Sequence, residues 1–143
     1  MNRTHLFTTP LVLLACFSAL SIAGEDKRQL IQMPEKMQQH MMSNMRDHLA
    51  ALNEILASMA KGELEQAAKI AEFRLGTSSL ESHGASHMAR FMPEGMQKAG
   101  TSMHSAASRF ALKAQEGEAL PAYKALSEVT NACVACHAAY RIR

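Results

Sequence analysis

The run Cys133-Val134-Ala135-Cys136-His137, close to the carboxyl end, constrains this chain more than any other feature. On a helix, Cys133, Cys136 and His137 stand at i, i+3 and i+4 and leave from one face. Two thiols beside an imidazole, spaced C-x-x-C-H, are the attachment signature of a c-type haem. The thiols add across two vinyl groups of the porphyrin, and the imidazole reaches the iron. The end of the chain is therefore expected to be helical, and the rest must wall in a large flat group. Two other uses of these residues compete. A redox-active C-x-x-C expects a strand-to-helix setting, and no strand pattern precedes it. A zinc site needs four ligands, and His83 and His87, spaced H-x-x-x-H, complete a Cys2His2 set with the two thiols but leave His137 without a role.

The remaining sequence reads as helices. Val, Ile and Thr, which strands prefer, are sparse, whereas the 143 residues include 11 Met and abundant Ala. A first helix is predicted from Pro34, a residue suited to a helix start, to about Ala60, where Lys61-Gly62 supplies a stop. Its Met42, Met45, Leu49, Leu52, Leu56 and Met59 alternate by three and four, so this stripe is expected to face the core. A second helix begins near Glu63 and weakens at Gly76-Thr77-Ser78-Ser79. Residues 82–92 read as a long connection. A third helix follows Pro93, with Met96, Gly100, Met103, Ala107, Phe110 and Ala114 in register, and ends at Gln115-Glu116-Gly117. The fourth opens at Pro121 and carries Tyr123, Leu126, Thr130, Cys133, His137 and Tyr140 on one stripe. Four such segments with mostly short connections predict an all-α fold, an antiparallel four-helix bundle with covalently attached haem.

A C-x-x-C-H on the last helix of such a bundle, led in by Glu128-Val129-Thr130-Asn131-Ala132 and followed by Ala138-Ala139-Tyr140-Arg141, resembles the cytochrome c-prime superfamily. The likeness spans residues 24–143, and Gly100 falls where the third helix of that family often has glycine. High-spin members leave one side of the iron open and bind nitric oxide or carbon monoxide. Low-spin members place a first-helix methionine there and act as electron carriers. The stretch from Met42 to Leu56 resembles the low-spin pattern, which implies His137 as proximal ligand and Met42 as distal ligand, with Met41, Met45 and His40 as rivals. A methionine at helical spacing is equally at home as core filler. Low-spin relatives often carry Arg-Gln before the ligand, where this chain has Gln38-Gln39, so a propionate contact is sought at Arg46 or Arg90. The resemblance also sets Arg141 against the imidazole or a propionate, and Tyr140 at the haem edge. Family members often dimerise through their first two helices, which allows a homodimer.

Residues 1–23 have the layout of a secretory signal peptide. Arg3 and His5 precede the apolar run Leu11–Ile22, and Ser21-Ile22-Ala23 offers small residues for cleavage after Ala23. About 12 apolar residues fall short of the roughly 20 that span a bilayer. Acylation at Cys16 is the variant reading. The expected location is the periplasm, without stable membrane insertion, and the expected partners are periplasmic redox proteins. A formal charge of +2 with no basic run excludes the electrostatic footprint of a nucleic-acid binder. No paired carboxylates or nucleophile-base set stands out, so no enzymatic activity is expected. His40, His48, His83, His87 and His104, with Met88, Met92, Met96 and Met103, form a candidate copper-binding set, though the same residues serve equally as core or solvated positions.

Overall fold

The structure is a computed structural model that describes residues 25–143. The signal segment expected at 1–23, its cleavage after Ala23 and the alternative acylation at Cys16 lie outside the described residues. Helices dominate: α1 (Glu35–Ala60), α2 (Leu64–Arg74), α3 (Ala85–Ala89), α4 (Glu94–Gln115) and α5 (Ala119–Ala139). A 3-10 turn at Thr77–Ser79 and the short α3 fill the stretch between α2 and α4, so residues 82–92, expected as an open connection, contain a helix of their own. Two-residue strands β1 (Gln29–Leu30) and β2 (Tyr140–Arg141) pair in parallel and join the two ends of the described chain.

The helix boundaries follow local chemistry. Pro34 and Pro93 stand immediately before α1 and α4, and Glu35 and Glu94 place a carboxylate in each first turn, where the helix dipole favours it. At the end of α1, Gly62 takes φ +76°, its amide bonds Met59 O at 3.0 Å and the next amide, of Glu63, bonds Ser58 O at 2.9 Å. This pair of bonds satisfies carbonyls that the helix leaves open and turns the chain into α2.

α1 packs on α2, α2 on α4, and α4 on α5. Their shared core is built largely from alanine, with Ala51, Ala67, Ala68, Ala107 and Ala122 wholly buried around Phe110 and Ile55. A second cluster, Ile31, Met33, Met41, Met88 and Met96, closes the other end, with Cys136, Tyr140 and Ile142 packed against it.

The inward face of α1 differs from the expected stripe. Met41, Asn44, His48, Ala51, Ile55, Ser58 and Met59 are buried, whereas Leu49 is 70% and Leu56 47% exposed. Met42, Met45 and Leu52 lie half-buried on the flank. The helix is rotated by about one residue, because Asn44 and His48 find hydrogen-bond partners inside and Ala51 meets an alanine-rich core. On α5 the shift is similar. Ala122, Ala125, Leu126 and Val129 form the buried row, while Tyr123, Thr130 and His137, placed on the expected stripe, are exposed.

Candidate functional site

A cavity of about 350 Å3 lies at the end of the molecule where the methionine cluster sits. That volume falls within the range of roughly 300–1,000 Å3 usual for small-molecule pockets. Its wall takes Met41, Met42 and Met45 from α1, Met88 from α3, Met96 and Met103 from α4, and Cys136 and His137 from α5. Arg141 and Arg143 follow from the C-terminal tail, and Arg28 from the segment before β1. Gly100 lines the cavity from α4, and a Cβ built on it would meet nothing within 4 Å.

Of the five residues expected to form the site, Met42, Cys136, His137 and Arg141 line this one cavity. Cys133 does not. It stands almost one helical turn earlier, half-buried against the alanine-rich core. Both cysteines are free, and burial pushes both thiols up, with Cys133 adding to the effect on Cys136. The rival thioethers Met41 and Met45 share the wall with Met42, and Met41 is the most buried of the three. His40 is engaged elsewhere, its Nε2 lying 2.9 Å from the carbonyl of His83. Gln38 donates to Met33 O, and Gln39 to Glu35 Oε1. Arg46 is exposed and Arg90 sits over the ring of Phe91 at 4.8 Å, and neither lines the cavity.

The tail is held in place by the N-terminal segment. Ile31 N donates to Arg141 O at 2.8 Å, extending the β1–β2 pairing. Arg28 Nη1 reaches His137 O at 3.4 Å, while Nε and Nη2 bind the Asp26 carboxylate at 2.9 and 2.7 Å. These charged hydrogen bonds hold the Asp26 carboxyl down at about 2. Tyr140 is half-buried, and its hydroxyl lies so close to Gly95 that a side chain there would collide with it.

One part of the wall was not expected as a unit. His48, His83 and His104 are all buried, with ring centroids 4.8, 5.6 and 5.9 Å apart. His104 Nδ1 donates to Leu75 O at 2.7 Å, and Ser79 Oγ lies 3.3 Å from His83 Nδ1. His40 and the Asn44 amide both bond the His83 carbonyl. Three of the five histidines of the expected copper set thus converge, whereas His87 is exposed. Among the described residues, no group of three His, Cys, Asp or Glu side chains is placed to share a metal ion. The signal in sequence was the count of histidines. Their convergence depends on the turn at Thr77–Ser79, which has no periodic pattern. Arg28 and Arg143 were likewise missed, since a charged segment before the first helix carries no sign of its partner.

Arg141 Nε is buried on this wall without a hydrogen-bond partner, an open donor for an anionic group, whereas Cys133, one of the two thiols that would hold a porphyrin, does not reach the cavity. No helix among the described residues is long and apolar enough to cross a membrane. Comparison of the chain with protein-family models, with curated proteins and with solved structures finds no match in any of the three.

Proposed function

We propose that the chain is an exported monohaem c-type cytochrome of the cytochrome c-prime kind, an antiparallel four-helix bundle of α1, α2, α4 and α5 that carries single electrons in the periplasm. The observation behind this reading is convergence. Met42 comes from the start of α1, Cys136 and His137 from the end of α5 and Arg141 from the tail, yet all line one cavity.

When bound, the haem supplies one-electron exchange between ferric and ferrous iron. The side chains do the rest. Cys133 and Cys136, whose thiols burial keeps protonated, would hold the group through thioether bonds, for which Cys133 has to turn from the core towards the cavity. His137 would hold the iron through an imidazole nitrogen, and Met42, on the wall of the same cavity, would hold it through a thioether. A sulfur ligand raises the potential relative to a second nitrogen. Two protein ligands kept in both redox states leave little to rearrange on electron exchange. The methionine-rich wall would give the group apolar surroundings. Periplasmic redox proteins would meet the haem edge through a small transient interface, and a homodimer through α1 and α2 belongs to the same reading.

The test starts with mass spectrometry of the denatured chain after expression in a host competent for cytochrome maturation, where one covalent haem should add its full mass. The oxidised protein should then show six-coordinate low-spin absorption, lost in Met42→Ala and kept in Met41→Ala and Met45→Ala. A five-coordinate wild type would overturn the electron-carrier role and identify a protein that binds nitric oxide or carbon monoxide. A chain without the added mass would overturn the haem itself.

A further inference from the structure

Three imidazoles on the cavity wall have no part in the reading above. His48 comes from the middle of α1, His83 from the turn before α3 and His104 from α4, and all three line the cavity while no more than 9% exposed. Burying such polar rings is costly unless their nitrogens find partners. His104 gives its Nδ1 proton to Leu75 O at 2.7 Å. The pair His48 and His83 is less well served. His48 Nε2 and His83 Nδ1 stand 3.4 Å apart, at the weak limit for a hydrogen bond, and Ser79 Oγ, whose own proton goes to Gly76 O, lies 3.3 Å from the same Nδ1.

The separation of the two nitrogens is imposed from outside the pair. The His83 carbonyl accepts from His40 Nε2 and from the Asn44 amide, both at 2.9 Å, which pins the His83 backbone to the helix that carries His48. Two donors each about 2 Å from one metal in a trigonal plane stand about 3.5 Å apart, close to the spacing found here. Sulfur is at hand as well. Met45 precedes His48 by three residues on α1, which makes the two neighbours on the helix surface, and it lines the same cavity. Imidazole with thioether is a donor set suited to copper(I). Among the described residues no three His, Cys, Asp or Glu side chains are placed around one ion, which argues against a zinc site of the usual ligands but leaves open one built from two imidazoles and a thioether. Burial holds both rings below the ordinary imidazole range, so at neutral pH each is uncharged and has a lone pair for a metal.

We propose that His48 Nε2 and His83 Nδ1, with the thioether of Met45, bind one copper(I) ion on the wall of the cavity. The proton between the two nitrogens moves to the other nitrogen of the ring that carries it, so none is released and both imidazoles stay neutral. The site uses none of Met42, Cys133, Cys136 and His137, and it does not rest on the haem reading.

The test is a titration of the full chain with copper(I) as its bicinchoninate complex, under nitrogen, any free thiol of Cys133 and Cys136 first being blocked with iodoacetamide. Wild type should withdraw one copper ion per chain, and X-ray absorption of the loaded protein should show two imidazole nitrogens and one sulfur around it. His48→Gln and His83→Gln should each weaken binding more than about 100-fold, beyond the roughly 10–100-fold that loss of a supporting hydrogen bond costs a metal site. Met45→Ala should remove the sulfur, and His87→Gln, at an exposed position, should bind as wild type. The wild-type absorption spectrum needs no variant, so it decides even where a substitution disturbs the packing. No copper withdrawn, a shell of sulfur alone, or unchanged binding in His48→Gln and His83→Gln would each refute the site, and a sulfur that survives Met45→Ala would overturn the choice of Met45. A haem-loaded chain that takes no copper refutes this site alone, whereas a chain isolated without haem that takes it refutes only the haem reading.

Discussion

Burial of His48 between His83 and His104 keeps its ring neutral at physiological pH. Loss of water is the largest cause, the two neighbouring imidazoles add to it, and Asp47 opposes it, leaving His48 at about 4. His83 is lowered as well, again chiefly by burial. In the unfolded chain His48 returns to about 6.5, so the unfolded state binds the proton more readily and stability falls as the medium is acidified. The contribution is complete above about pH 6.5 and is lost as pH falls towards 4, with a full size of about 3 kcal/mol. Urea unfolding at pH 7 and pH 4.5 should show wild type losing about 2 to 3 kcal/mol more than His48→Gln across that interval. Equal losses in both proteins would mean that the ring is not held neutral. The sequence offered His48 as a copper donor or as a core or solvated residue, and it is buried. Nothing local in it revealed that Asn44 and the His83 carbonyl would form a polar lining on that side of α1.

At the scale of elements, one substitution should have opposite signs at two glycines. Gly62 holds φ +76° with nothing near its missing Cβ, so Gly62→Ala meets no clash and costs only the left-handed backbone, about 1 to 2 kcal/mol. Gly100 sits inside α4, also with nothing within 4 Å, and Gly100→Ala should stabilise the haem-free chain by about 1 kcal/mol through helix propensity. Thermal denaturation of the two variants reads both effects, and a stabilised Gly62→Ala would refute the account of the α1 end. The ends of α1 and α4 were legible because proline and glycine act locally. The facing of α1 was not. An apolar period locates a stripe on a helix but cannot tell that small and hydrogen-bonded residues, Ala51 and Asn44, will displace Leu49 and Leu56 from the interior.

For the whole molecule, the all-α class was readable from composition and from four repeats of the three-four spacing, and it was the family resemblance that pointed to Met42, which lines one cavity with Cys136 and His137. The β1–β2 closure was not, because a two-residue pairing between positions about 110 apart has no signature in either segment. The rotation of α1 has a consequence at this scale: it leaves Leu49 70% and Leu56 47% exposed, while Phe73 on α2 is 69% exposed. Exposed apolar side chains occur on α4 and α5 too, at Leu112, Leu120 and Val134, but the proposed homodimer requires those of the first two helices to be the ones buried against a second copy. Since these side chains contribute little to the interior of one chain, Leu49→Glu with Phe73→Glu should leave the fold's own stability within about 0.5 kcal/mol while removing the apolar contact between copies. Light scattering after size exclusion should give a dimer for wild type and a monomer for the double variant. Absorption spectra of the two should coincide, because neither residue lines the cavity. A wild-type protein that remains monomeric at micromolar concentration would refute the dimer.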